Sequence, residues 1–146
     1  MPPGPLTIQA TETGICRVVF GAGQMTGRRK TTQLLNDAAT ELQEYFAGKR
    51  QYFDIPLDVQ GTAFQLAVWD AVRRIPFAER ATCAQIAQDM GKPDAYRSVG
   101  RACAANPCAV LIPDHRIVTA AGHPLGSGDA ARIRGALLAW EQRVYA

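Results

Sequence analysis

Between residues 62 and 107 the chain carries three helical segments with their own start and stop residues, and only Gly91-Lys92-Pro93 separates the second from the third. Thr62 can cap a helix running to residue 73, with Phe64, Leu66, Ala67, Val68 and Ala71 forming an apolar face around Trp69 before Pro76 stops it. Thr82 can cap a short second helix containing Ile86, Ala87 and Met90, which the glycine and proline end. Asp94 opens a third that runs to residue 105, closed by Asn106-Pro107. Two short helices joined by a Gly-x-Pro turn form a helix-turn-helix pattern. Structural bundles also contain such pairs, so on this pattern alone a DNA-binding and a purely structural reading both stay open.

The rest of the chain completes an α+β expectation. Residues 14–20 (GICRVVF) read as a strand entering a turn at Gly21-Ala22-Gly23, and residues 25–30 as a polar, basic loop. Leu34, Leu35, Ala38, Leu42, Tyr45 and Phe46 give a helical period over residues 31–47, ended by Gly48. Residues 51–61 hold Pro56 and no helical period, which suits an extended linker. Residues 110–112 and 117–118 are short apolar runs, and residues 129–144 form an amphipathic helix with Ile133, Leu137, Leu138 and Trp140. The expected architecture is a small N-terminal strand/helix lobe over residues 1–56 and a helical C-terminal lobe over residues 57–146, the latter with a winged-helix-like helix-turn-helix.

At 146 residues, 47% apolar and 20% charged, the chain can build an ordinary core without staples. No apolar run approaches the ~18–20 residues needed to span a bilayer. The opening MPPGPLTIQA lacks the basic and apolar regions of a secretory signal, so a cytoplasmic protein without membrane attachment is expected. Cys16, Cys83, Cys103 and Cys108 make no C-x-x-C pair and are not spaced with His115 and His123 as zinc ligands would be. They read as buried thiols, and neither a metal nor a cofactor is expected. The net charge of +3 is too small to identify a nucleic-acid partner; where the charge sits matters more.

Four stretches match one family in order and spacing: GTAFQLAVWDAVRRIPFAE, TCAQIAQDMGKPDAYRSVGRACAANP, LIPDHRIVTAAG and LLAWE. The chain resembles the O6-alkylguanine-DNA alkyltransferases over roughly residues 31–142, more weakly in the N-terminal lobe. The family's most specific stretch is Pro-Cys-His-Arg followed by Val or Ile; here it reads Pro113-Asp114-His115-Arg116-Ile117. In that family the cysteine thiolate takes the alkyl group from guanine O6 once; the adjacent histidine generates the thiolate through water, and a glutamate near the C-terminus orients the histidine. The resemblance implies that His115 and Glu141 fill those supporting roles, that Asn106 braces the turn, and that Asp114 stands where the nucleophile would be. It also implies that Arg97 is the finger that fills the gap left by a flipped nucleotide.

Departures from the pattern bear on the substrate. Cys83 and Ser127 stand where the family has tyrosines, and Asp129 where a glycine is usual, which implies a wider pocket lined by Asp114, Cys83, Pro113, Val110 and Ser127. Tyr96 and Arg101 replace small residues on the recognition helix. Cys83 starts a helix, where a dipole would lower a thiol pKa, yet it reads more simply as a small filler; Cys108 reads as core rather than as a displaced nucleophile. DNA contacts are expected from Arg97, Lys92, Tyr96, Ser98, Arg101 and Arg116, with Arg116 equally suited to bracing its own turn.

Asp114 admits three readings. One is a binding-only pocket like that of the cysteine-less alkyltransferase-like proteins, which bind alkylated guanine and pass it to nucleotide excision repair, although those carry Trp or Ala here. A second is an enzyme in which Asp114 and His115 activate water or accept an alkyl group as an ester. A third is a scaffold repurposed away from DNA. The first is the expectation carried forward: a monomer that binds double-stranded DNA bearing an alkylated guanine, with excision-repair proteins as partners and a nucleoid location when bound.

Overall fold

The computed structural model describes residues 4–21 and 32–145. The expected basic loop at residues 25–30 and the Ala22-Gly23 part of the turn lie outside them. Two compact units are present. One runs to Gln60 and takes in Pro107–Leu111; the other comprises Gly61–Asn106 and the chain from Ile112 onward.

In the first unit, strand β1 (Leu6–Ala10) pairs antiparallel with β2 (Ile15–Phe20), Ile8 opposite Val18, with a bulge at Gln9/Ala10. Only β2 was expected. Five residues alternating Leu6, Ile8 and Ala10 between a proline-rich start and Thr11-Glu12-Thr13 give too short a period to stand out. Helix α1 (Gln33–Phe46) is capped by Thr32, whose side chain accepts from the Leu35 N–H at 3.2 Å. It buries Ala38, Leu42 and Tyr45. Segment 107–109 joins this unit because the Val18 N–H donates to the Pro107 carbonyl at 2.9 Å and the Ala109 N–H to the Val18 carbonyl at 3.0 Å.

The second unit starts with α2 (Ala63–Arg73), opened by a reciprocal capping box between Thr62 and Gln65. Strand β3 (Ala81–Thr82) leads directly into α3 (Cys83–Asp89), opened by the same device between Thr82 and Gln85. Gly91, at φ +73, then turns the chain: its N–H donates to the Gln88 carbonyl and that of Lys92 to the Ala87 carbonyl, both at 2.9 Å, the Schellman pattern. Pro93–Ala95 makes a 3₁₀ turn, so α4 (Tyr96–Ala104) starts two residues later than the sequence suggests. The buried Trp69 indole N–H donates to the Ala102 carbonyl at 2.9 Å and locks α2 to α4. The lobe is not purely helical: β4 (Ile117–Val118) pairs parallel with β3, Ala81 opposite Ile117. Helix α5 (Gly128–Tyr145) completes the unit and buries Leu137, Leu138 and Glu141.

The Thr82 hydroxyl accepts the Gln85 N–H, and the Gln85 side chain accepts the Thr82 N–H in return. Thr82→Ala is expected to cost about 1 kcal/mol in urea unfolding with an unchanged m-value. No helix among the described residues is long and apolar enough to cross a membrane.

Candidate functional site

Asp114–Arg116 form a single 3₁₀ turn between Pro113 and β4. The Asp114 N–H donates to the Ile112 carbonyl at 2.8 Å and the Arg116 N–H to the Pro113 carbonyl at 3.0 Å. Asn106 Nδ2 donates to the same Ile112 carbonyl at 2.9 Å, so Asn106 braces the entry to the turn. Three consecutive polar side chains are thereby set into the interior: Asp114 is 7%, His115 1% and Arg116 5% exposed. Glu141, from α5, is fully buried against them.

Such burial is tolerated because the charges are paired and the donors spent. Arg116 grips Glu141 with both edges of its fork, Nε to Oε1 and Nη2 to Oε2, each at 2.9 Å, while Nη1 donates to the Ile75 carbonyl at 2.7 Å. Glu141 Oε1 also accepts the Ala78 N–H at 3.0 Å, from a residue held at φ +67, a conformation that costs a non-glycine residue energy. Glu141 Oε2 lies 2.6 Å from His115 Nε2. Burial pushes the Glu141 pKa up, but the hydrogen bonds and charges of His115 and Arg116 outweigh it and hold the group far below the usual carboxylate range. A carboxylate so held only accepts, so His115 Nε2 must carry a proton and Nδ1 is the atom left to take or give one. Nδ1 has no hydrogen-bond partner among the described residues.

The sequence leaves Arg116 open between a phosphate contact and a brace for its own turn. Its burial and its three committed nitrogens make it the internal brace and not a phosphate contact. Arg134, which sequence reasoning missed, is the partner of Asp114, with Nη2 2.9 Å from Oδ2. Its Nη1 donates to the Leu125 carbonyl at 3.1 Å and lies only 2.8 Å from where a Cβ would stand on Gly126, which is also at φ +83. The available signal was spacing: 134 and 141 are two turns apart on α5 and so share the face turned to the 114–116 turn.

Of the expected pocket residues, Pro113 is buried and Cys83 half-buried, while Ser127 is exposed in the loop before α5. Val110 is 1% exposed and at φ +71, in the first unit. Its side chain is core, which corrects its assignment as pocket lining. Burial raises the Cys83 thiol pKa, overriding any help from its helix position. Cys103 is pushed up to about 12, by burial first and then by the nearby Asp114 carboxylate and Cys83. Both stay thiols at neutral pH.

Helix α4 and its preceding turn leave Lys92, Tyr96, Arg97 and Arg101 exposed. The Arg97 guanidinium lies 5.9 Å from the Tyr96 ring, Arg101 Nη2 donates to Ser98 Oγ at 3.2 Å, and Lys92 Nζ stands 5.6 Å from the Phe64 ring. Among the described residues, no group of three His, Cys, Asp or Glu is arranged to hold a metal.

Residues 63–143 match the model of the 6-O-methylguanine DNA methyltransferase DNA binding domain, and residues 1–59 match the ribonuclease-like domain of the same family. The chain belongs to the 6-O-methylguanine DNA methyltransferase family. Family relatives match it almost end to end. The methylated-DNA–protein-cysteine methyltransferase of Methanosarcina acetivorans is 35% identical, over 96% of this chain and 93% of its own. The constitutive enzyme of that name from Bacillus subtilis is 35% identical, over 99% and 93%. The fold agrees with the crystal structure of Mycobacterium tuberculosis O6-methylguanine methyltransferase at a TM-score of 0.87 and 33% identity, covering 98% of this chain and 89% of that one. A Mycobacterium tuberculosis OGT in complex with DNA superposes at 0.86 and 34% identity, covering 99% and 90%.

Proposed function

We propose that this family member binds DNA carrying an O6-alkylguanine, takes the flipped base into the pocket beside Asp114, and holds it without accepting the alkyl group. The observation that carries this reading is the Asp114–Arg134 ion pair at the position where the family resemblance puts the reactive cysteine. A carboxylate is a far weaker nucleophile towards an alkyl carbon than a thiolate, and pairing with a guanidinium ties up its charge further. The supporting His115, Glu141 and Asn106 then shape the pocket rather than activate a thiol. The lesion stays in the DNA, for excision-repair proteins to remove.

On this reading α3 and α4 act as the DNA-reading helix-turn-helix. Lys92 and Arg101 contact phosphate, so affinity falls as salt rises. Arg97 enters the base stack and keeps the nucleotide out. Arg97→Ala is expected to weaken binding to lesion-bearing duplex about tenfold while plain duplex loses much less; equal losses would make Arg97 a phosphate contact only. The direct test incubates the chain with an excess of O6-methylguanine duplex and measures the intact mass of the protein. An unchanged mass with lesion-selective binding supports the proposal, and a gain of one methyl group overturns it.

A further inference from the structure

We infer that Asp114 makes the pocket select O6-substituents that end in a hydrogen-bond donor, a hydroxyl or an ammonium, over a plain methyl group; the inference rests on the lesion-binding reading above. A carboxylate can accept about four hydrogen bonds. Asp114 Oδ2 takes one from Arg134, while Oδ1 accepts none among the described residues. Arg134 is itself fixed by the Leu125 carbonyl, so the pair is a pre-set feature of the wall and not a loose surface contact. The Asp114 side chain is 11% and that of Arg134 13% exposed, so little solvent reaches the free oxygen once a base covers it.

A methyl group pressed against Oδ1 would cover a charged acceptor and return nothing for the water it displaces. A hydroxyl or ammonium supplies the missing bond in its stronger, charge-assisted form. A substituent ending in a carboxylate is disfavoured, because Arg134 is already engaged and Asp114 repels it.

The test is fluorescence anisotropy on matched duplexes carrying plain guanine, O6-methylguanine, O6-(2-hydroxyethyl)guanine or O6-(2-aminoethyl)guanine. The full chain is compared with Asp114→Ala and Asp114→Asn, each checked by thermal melting; the near-isosteric Asp114→Asn serves if Asp114→Ala does not fold. The chain is expected to bind the hydroxyethyl and aminoethyl lesions about tenfold tighter than the methyl one. That ratio should fall towards one in Asp114→Ala, and Asp114→Asn should lose the aminoethyl preference first. A methyl lesion bound better than plain guanine, but without donor preference or with a preference that survives Asp114→Ala, overturns the inference and leaves lesion binding standing. Equal affinity for all the duplexes, plain guanine included, removes both.

Discussion

Glu141→Ala is expected to lower the unfolding free energy by about 3–5 kcal/mol, because it leaves the Arg116 guanidinium buried with no counter-charge and takes the partner from His115 Nε2. The intact pair is not itself a large source of stability, since removing two ions from water costs about as much as their attraction returns. Its loss is costly because one ion stays behind. The same site sets an acid limit. Glu141 is depressed in the folded state, so its contribution is fully present above the ordinary glutamate value of 4.5 and is lost as pH falls from there towards the folded value. Urea titrations from neutral to acid pH should show wild-type stability falling below about pH 4.5. Glu141→Gln, which keeps the shape, should show a flatter acid limb from a lower plateau. A cost of only about 1 kcal/mol for either variant, as for an exposed pair, would mean that the cluster is open to solvent.

On the proposed binding-only reading, Asp114→Cys should produce a chain that takes up a single alkyl group. The substitution puts a thiol beside Arg134, whose positive charge lowers its pKa, and one residue from His115, whose Nδ1 is the nitrogen free to take the proton. Glu141 and Asn106 are untouched and already hold the histidine and the turn. Transfer is read as label moving from O6-[methyl-³H]guanine duplex to protein, saturating at one group per chain. A folded Asp114→Cys chain that binds the lesion but takes no label would mean that the supporting groups are not aimed at residue 114.

Local devices were the legible part of the sequence. Thr62 and Thr82 do cap the helices they precede, and each has its glutamine three residues on to close the box. The Gly91-Lys92-Pro93 break ends α3 as glycine and proline chemistry requires. Pairing over long sequence distances was not legible. Strand β1 shows itself only through β2, and β3 and β4 are two residues each, visible only as a pair 36 positions apart. The site divides in the same way. The motif around Asp114 picked out His115, Glu141 and Asn106 through a family likeness. Whether Arg116 faced phosphate or its own interior depended on Glu141, 25 residues away, and on the Ile75 carbonyl, 41 residues away. Arg134 carries no local mark beyond its helical phase, and its role follows from a carboxylate whose position only the folded turn fixes.

The most direct measurement is equilibrium binding of the chain to two duplexes differing only in O6-methylguanine against guanine, followed by recovery of the bound DNA and nucleoside analysis. Tighter binding to the lesion and recovery of O6-methylguanine in full are the expected result. Guanine appearing in the recovered DNA, with or without turnover, would contradict it.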